Sequence, residues 1–367
     1  MPVVKNQRVP WTIRWSPKRA EMNRNAPLLA LLAAGAFGLS MPLSKLLLGE
    51  TEPLILAALL YLGSGLGLSV LAMALREAPA AEARFARADL PWLAGAIGFG
   101  GVAGPILMLI GLQGTDSASA SLLLNLEAVF TLAIAWVVFH EHVDQRLAVG
   151  AVAIVAGAVG LSWRGGMGSA SMASLLMVLA CLSWAIDNNL TRKISGGDPV
   201  RLAAAKGLVA GVVNFGLAKA MGFHLPAWSV VVAAGLLGFV SYGLGLVLYI
   251  LALRHLGAAR TAAYYGTAPF IGASLGVVLP GGAFTPMLLM AGALMALGVW
   301  LHVSERHEHA HEHEADEHDH LHSHDEHHQH VHANGLDMNQ PHAHKHQHAR
   351  LRHSHAHWPD LHHRHVH

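Results

Sequence analysis

Residues 117–139 read SASASLLLNLEAVFTLAIAWVVF, a stretch in which Glu127 is the only charged side chain. A helix rises about 1.5 Å per residue and the hydrocarbon core of a bilayer is about 30 Å thick, so roughly 20 apolar residues cross it. The stretch therefore predicts a membrane-spanning helix. A strand of a membrane barrel would be shorter and would alternate between polar and apolar side chains.

Comparable apolar stretches recur between Ala26 and Val303. The composition agrees with a membrane protein, because 53% of the residues are hydrophobic and 13% are charged although the end of the chain is strongly polar. We expect an all-α membrane protein with ten transmembrane helices, whose main partner is the lipid bilayer. The predicted spans are residues 27–48, 53–75, 90–112, 117–139, 146–163, 170–191, 201–221, 229–253, 258–279 and 283–303.

Glycine recurs at four-residue spacing within several predicted spans, a pattern that lets helix backbones approach closely. These pairs predict packing contacts between helices. The pairs are Gly63/Gly67, Gly100/Gly104, Gly207/Gly211 and Gly272/Gly276. The single cysteine, Cys181, excludes an intrachain disulfide and is expected to be a small core residue.

Lysine and arginine are distributed unequally between the two sides of the predicted bundle. The basic amino-terminal segment 1–26 carries six of them, whereas the opposite side has little beyond Arg164 and Lys219. The loops on the amino-terminal side add Arg76, Arg84, Arg87, Arg146, Arg192, Lys193, Arg201, Arg254 and Arg260. The positive-inside rule therefore predicts an inner or plasma membrane protein with both termini in the cytoplasm.

The start of the chain does not look like a signal peptide, because its first 25 residues are too basic and polar to contain an apolar core region. Met22 is an alternative start to Met1. The sequence does not define an oligomeric state.

The chain repeats itself with an offset of about 140 to 147 residues. Residues 36–45 match residues 183–192, with a basic residue eight positions after an aromatic one in both, and residues 111–130 match residues 251–270. Each half contains five predicted spans, so the second half must enter the membrane from the opposite side. Such inverted repeats are used by many secondary transporters, with the substrate site near the midplane where the halves meet.

Four motifs resemble the repeats of EamA-type permeases of the drug/metabolite transporter superfamily: Asn125-Leu-Glu127-Ala-Val-Phe130, Phe139-His-Glu141, Gly157-Ala-Val-Gly160 and the run from Ala258 to Pro269. The resemblance covers about residues 27 to 303. It implies two five-helix units, residues 27–163 and 170–303, around a central cavity. It also implies an exporter or facilitator of small metabolites.

Glu127 is the leading candidate for a substrate-binding residue, together with the neighbouring Asn125. An ionised carboxylate near the centre of a span costs several kcal/mol unless it is paired or hydrated, so Glu127 should face the bundle interior. A site for a substrate cation or a proton is one interpretation. A buried structural pair with a cation such as Lys206 is the other.

Further polar residues inside the predicted spans are candidates for the cavity wall. Asp187 belongs to a polar stripe on the sixth span, with Asn188 on the neighbouring stripe, although a salt bridge from Asp187 to Arg192 or Lys193 is equally compatible with the sequence. Lys206 would offer a positive charge to an anionic substrate. The other candidates are Asn214, Tyr264 and Tyr265, and for the tyrosines the alternative is packing.

The tail, residues 304–367, is rich in histidine, and the segment from His302 onward holds 24 of the 28 histidines of the chain. Imidazole with interspersed carboxylates suits zinc, nickel, cobalt and copper(II). We expect a disordered cytoplasmic tail with many interchangeable metal sites; the alternatives are a solvated extension without a role and a pH-responsive strip. The candidate ligands are His307, His309, His311, His313, His318, His320, His322, His324, His327, His328, His330 and His332.

The sequence contains no phosphate-binding loop, nucleophile elbow or spaced carboxylate pair, so we expect no enzyme activity, no required cofactor and no nucleic-acid partner. The leading hypothesis is a secondary transporter of a small organic solute, with a proton as a candidate coupling ion. The alternatives are divalent metal efflux in which the tail collects ions, and a membrane-anchored metal buffer or sensor.

Overall fold

The computed structural model describes residues 17–75, 89–139, 145–162, 172–192, 199–256, 261, 264–279, 284–304, 308–313, 317–322, 342–347 and 351–356. The basic segment before residue 17 and most of the loops with clustered Arg residues lie outside the described residues.

The membrane part is helical throughout its described residues. The first half contains α1 (Pro17–Gly38), α2 (Ser40–Leu47), α3 (Pro53–Leu75), α4 (Leu90–Ala96), a π-helical segment π1 (Ile97–Ala103), α5 (Gly104–Gln113), α6 (Ser117–Leu123), α7 (Leu126–Phe139) and α8 (Gln145–Ser162). The second half contains α9 (Met172–Arg192), α10 (Pro199–Ala220), α11 (Trp228–Gly238), the π-helical segment π2 (Phe239–Leu244), α12 (Gly245–Leu256), α13 (Ala268–Val278) and α14 (Pro286–Val303).

Nine stretches of the described chain are long and apolar enough to cross a bilayer, and they coincide with nine of the predicted spans. The ninth predicted span, residues 258–279, is described only in part, and its described helix α13 has 11 residues. Large apolar side chains cover the outside of the bundle, including Val152 at 68% exposure and Val278 at 80%. A surface of this kind is expected where lipid replaces water.

Several spans contain a turn partway along their length. The fourth span is interrupted by a turn at Leu124 and Asn125, between α6 and α7, whereas the turn at Leu39 between α1 and α2 keeps the helical hydrogen bonds from Leu39 to Gly35 and from Leu43 to Leu39. A turn at Gly266 and Thr267 precedes α13. Interrupted helices within a membrane bundle expose backbone groups that must be satisfied by neighbouring side chains or by a wet cavity.

The main helix contacts join the two halves of the chain. Helix α3 packs on α10, α8 on α14, α1 on α12, α5 on α9 and α6 on α13. The core therefore lies along the seam between the halves, where Met41, Leu60 and Met108 are almost completely buried.

Glycine makes these contacts close, as its spacing predicted. A Cβ atom on Gly207 of α10 would lie 2.7 Å from the backbone nitrogen of Gly65 in α3, and one on Gly38 would lie 2.7 Å from the carbonyl oxygen of Ala268. Neither backbone could stay in place beside a larger residue. The interpretation of Gly207 as a packing residue is therefore confirmed.

Four segments of the tail are strands, and the disorder of the tail as a whole stays a prediction. Strand β1 (Glu308–His313) pairs antiparallel with β4 (Leu351–Ala356), and β2 (Glu317–His322) pairs with β3 (His342–Gln347). The two-residue period of histidine in these segments matches the period of a strand, which accounts for the extended backbone. The register sets His311 opposite His353 and His320 opposite His344.

Candidate functional site

Glu127 lies in the first turn of α7, directly after the interruption of the fourth span. Asn125 stabilises this interruption, because its Nδ2 atom donates a hydrogen bond to the carbonyl oxygen of Leu122 at 2.9 Å. The unpaired amide groups and the dipole at the start of a helix favour a negative charge. The helix start therefore compensates the Glu127 carboxylate in part without any cation.

Asn188 of α9 reaches Glu127 from the second half of the chain. Its Nδ2 atom donates a hydrogen bond to Oε1 of Glu127 at 2.7 Å. Glu127 is half-buried and Asn188 is exposed, so the pair is not sealed within the packed core. Among the side chains that the structure describes, no cation forms a salt bridge with Glu127.

Lys206 forms a salt bridge with Asp187 instead. Its Nζ atom lies 2.6 Å from Oδ1 and 2.9 Å from Oδ2 of Asp187, and it also donates to Oγ1 of Thr191 at 3.1 Å. The Thr191 hydroxyl in turn donates to Oδ1 of Asp187 at 2.8 Å. Both charged side chains are nearly buried, at 13% and 12% exposure.

The carbonyl groups of π1 are bound by side chains, because a π-turn disrupts the regular backbone pairing of a helix. Tyr61 and Trp184 both donate to the carbonyl oxygen of Gly100, at 2.7 and 3.1 Å, and Asn214 donates to that of Gly101 at 2.9 Å. The Asp187 carboxylate occupies the space that a Cβ atom on Gly100 would need. Glycine at this position therefore lets the ion pair pack against π1.

Five aromatic side chains form a connected group, which we call the aromatic cluster: Phe37, Tyr61, Tyr242, Tyr249 and Tyr265. The ring centroids of Tyr249 and Tyr265 are 4.6 Å apart, those of Tyr61 and Tyr242 5.5 Å, and those of Phe37 and Tyr265 5.8 Å. The Glu127 carboxylate is within electrostatic range of the phenol groups of Tyr61, Tyr249 and Tyr265. We call Glu127, Asn188 and the aromatic cluster the central site.

The structure joins Glu127 to Asn188 and sets the phenol group of Tyr265 within electrostatic range of Glu127, but it gives other surroundings to the remaining predicted residues. Asn125 is 4% exposed and Asn214 is completely buried, and both bind backbone carbonyls. Tyr264 contributes its own carbonyl oxygen, which accepts a hydrogen bond from Thr267 at 2.6 Å.

Of the two pairings considered from the sequence, one needs correction and the other involves side chains that the structure does not describe. The predicted alternative of a Glu127–Lys206 pair is wrong, because Lys206 lies against Asp187, and this also removes Lys206 as a free charge for an anionic solute. The side chains of Arg192 and Lys193, which the sequence offered as partners for Asp187, lie outside the described part of the structure.

Sequence reasoning missed Phe37, Tyr61, Tyr242 and Tyr249. A signal was available, because the chain has only five tyrosines and all of them fall within the apolar spans. Tyrosine usually concentrates at the ends of membrane helices, so tyrosines in the middle of the spans are unusual, but their position alone does not show whether they face lipid, core or site.

A metal pathway finds little support in the described spans. Among the side chains that the structure describes, no group of three or more His, Cys, Asp and Glu residues comes close enough to hold a metal ion. The backbones of His309, His311, His313, His318, His320 and His322 lie in β1 and β2. The candidate ligands His307, His324, His327, His328, His330 and His332 lie outside the described residues.

These features define a multi-pass helical membrane protein with a polar, aromatic site at the seam between two halves of its chain. The sequence pattern of the EamA-like transporter family matches residues 24–163 and again residues 171–304. The chain belongs to this family, and its membrane part has the two-repeat architecture that the repeat in the sequence predicted.

Two individual proteins are similar to this chain. An uncharacterized transporter from Methanothermobacter thermautotrophicus is 27% identical over 286 residues, which cover 72% of this chain and 82% of the relative. A protein of known crystal structure has the same fold, with a TM-score of 0.58 and 19% identity over 76% of this chain and 95% of the other. The family and the relative identify a membrane transporter, and a transporter is not expected to be an enzyme.

Proposed function

We propose that the protein moves a small organic solute across the inner or plasma membrane by alternating access, with ten helices in two oppositely oriented five-helix halves. The observation that carries this proposal is the position of Glu127. Its carboxylate lies at the start of a half-helix, is only half-buried and contacts Asn188 of the other half. A charge held between two halves can bind a solute or a proton and respond to their relative movement.

The arrangement of the halves supports this mechanism. The π-helical segments begin at Ile97 and Phe239, 142 residues apart, which falls within the offset of the sequence repeat. Helices at related positions also contact each other across the seam, as in the pairs α3 with α10 and α8 with α14. A rocking motion of one half against the other would open the central site to each side in turn.

The proposed function is tested by an uptake and resistance screen in cells that express the chain. The panel contains amino acids, other metabolites, drugs and divalent metals. We expect accumulation or resistance to change for an organic solute. The proposal would be contradicted if the chain inserts in the membrane but changes accumulation of, or resistance to, none of the organic solutes, or only the metals.

The membrane orientation gives a first prediction. Five spans in each half require that both ends of the chain lie on the same side, and the distribution of Lys and Arg selects the cytoplasm. Reporter tags fused before Met1 and after His367 should both give the cytoplasmic signal. A tag placed in the loop between α2 and α3, at Glu50, should give the opposite one, and ends on different sides would overturn the proposed topology.

The tail gives a second prediction. We propose that its histidines bind divalent metals such as Ni²⁺ and Zn²⁺ independently of the solute pathway, because alternating imidazoles offer many ligands. A chain that ends at Arg306 should retain solute uptake and lose metal binding, measured by equilibrium dialysis with Ni²⁺. The matched control keeps the length of the tail with every histidine changed to glutamine, and it should behave in the same way. Loss of uptake in both variants would instead favour the alternatives in which the protein transports metal ions or acts as a membrane-anchored metal buffer.

A further inference from the structure

The charge balance of the central site points to the class of solute. Lys206 is held by both oxygens of Asp187, so this cation and this anion neutralise each other. Glu127 is then left with a negative charge that no described cation balances. An anionic solute would be repelled by Glu127 and would meet no free cation among the described residues of the site.

The surroundings of Glu127 supply hydrogen bonding but no counter-charge. Asn188 donates a neutral amide N–H, and the start of α7 contributes a partial positive charge only. A carboxylate removed from water is stabilised by a positive charge placed close to it, whether or not that charge carries an N–H group. The missing positive charge can therefore be brought by the solute.

The aromatic cluster suits an organic cation. Phe37, Tyr249 and Tyr265 form a chain of rings with centroid separations of 4.6 and 5.8 Å, and the phenol groups of Tyr249 and Tyr265 are within electrostatic range of the Glu127 carboxylate. An ammonium group is attracted to the face of an aromatic ring, and the rings also provide apolar surface for the carbon skeleton of the solute. A metal ion would need several oxygen, nitrogen or sulfur ligands, and one carboxylate with one amide does not provide them.

We propose that the central site selects small organic cations that carry an ammonium group, with Glu127 as the counter-charge and Tyr249, Tyr265 and Phe37 as the aromatic wall. This inference rests on the proposed transport function for its physiological meaning. The binding preference itself can be measured without transport.

The test compares three molecules of nearly the same shape and different charge: choline, 3,3-dimethylbutan-1-ol and 3,3-dimethylbutanoate. Binding to the purified full-length protein in detergent is followed by ligand-observed NMR and titration calorimetry. We expect choline to bind at least tenfold more tightly than the neutral alcohol, and the carboxylate to bind most weakly. Equal affinities, a preference for the anion or no binding of choline would overturn the inference.

Variants test which side chains produce the preference for choline over the neutral alcohol. Glu127→Gln retains the size of the side chain and should reduce the difference between choline and the alcohol to the part that the aromatic rings provide. The matched control, Glu50→Gln, makes the same change at an exposed residue far along the chain from the central site and should leave the difference intact. Tyr265→Leu should weaken choline binding about tenfold, whereas Tyr265→Phe should retain it, because the ring face remains. A preference of unchanged size in the Glu127→Gln protein would contradict the assignment.

The two proposals fail in different ways. Selective binding of choline without flux of any panel solute into liposomes would contradict transport and leave the charge preference established. Flux of neutral or anionic solutes with no preference for ammonium compounds would support transport and overturn the inference.

Discussion

Replacement of Glu127 by glutamine should reduce flux driven by a pH gradient to the rate of protein-free liposomes. Glutamine keeps the hydrogen-bonding capacity toward Asn188, which lies 2.7 Å away, but it can neither bind nor release a proton. A transporter that couples solute movement to this carboxylate therefore loses the coupling while its fold is retained. Aspartate at the same position should restore part of the activity, because the charge returns on a shorter side chain.

The measurement uses liposomes that contain the purified protein and the pH-sensitive dye pyranine. Proton entry is recorded when a solute identified by the uptake screen is added, and solute accumulation is measured in parallel. Glu50→Gln serves as the control, since this exposed acid has no part in the central site. Unchanged pH-driven accumulation in the Glu127→Gln protein would refute the role of Glu127 in coupling.

A variant at Asn188 separates charge from orientation. Asn188→Ala removes the hydrogen bond to Glu127 and leaves the carboxylate in place. A single hydrogen bond to a charged group contributes about 1.5–3 kcal/mol, so flux should fall by roughly tenfold to a hundredfold and should not disappear. The same measurement therefore distinguishes Glu127, which carries the charge, from Asn188, which orients it.

The sequence predicted the membrane spans well because hydrocarbon imposes a simple requirement on length and polarity. The interruptions were harder to foresee. Asn125 lies within an apolar run that looks continuous, and a break depends on whether a neighbouring group satisfies the freed carbonyls. At Asn125 this group is its own side chain, and at π1 it is Tyr61, Trp184 and Asn214 from other helices.

The central site was predicted in part, because hydrocarbon also makes charged side chains costly. Glu127 could be identified because an acid in an apolar span is costly wherever it points. The partner of Lys206 could not be identified, because Asp187 lies 19 residues earlier on another helix and only helix packing brings the two together. Aromatic residues such as Tyr242 were missed because an aromatic residue in an apolar run gives no indication of whether it faces lipid, core or site.

The Asp187–Lys206 salt bridge leads to the second large effect, which concerns stability. Each member is nearly buried, so removal of one leaves an uncompensated charge in the bundle. Breaking a buried ion pair in this way costs about 3–5 kcal/mol. Lys206→Met and Asp187→Asn should therefore both lower the yield of folded protein and the midpoint of thermal unfolding in detergent.

The two single variants should not be equal. Lys206→Met leaves Asp187 as a second unbalanced carboxylate within electrostatic range of Glu127, whereas Asp187→Asn leaves one cation that the Glu127 carboxylate partly balances. Lys206→Met should therefore be the more damaging change, and the double variant Asp187→Asn/Lys206→Met should be more stable than Lys206→Met alone. Lys219→Met on the exposed end of α10 is the control and should unfold like the wild type. A double variant no more stable than Lys206→Met would show that Asp187 and Lys206 do not stabilise each other. The assignment of Glu127 as the unbalanced charge of the central site would then lose its basis, because it requires that Asp187 neutralises Lys206.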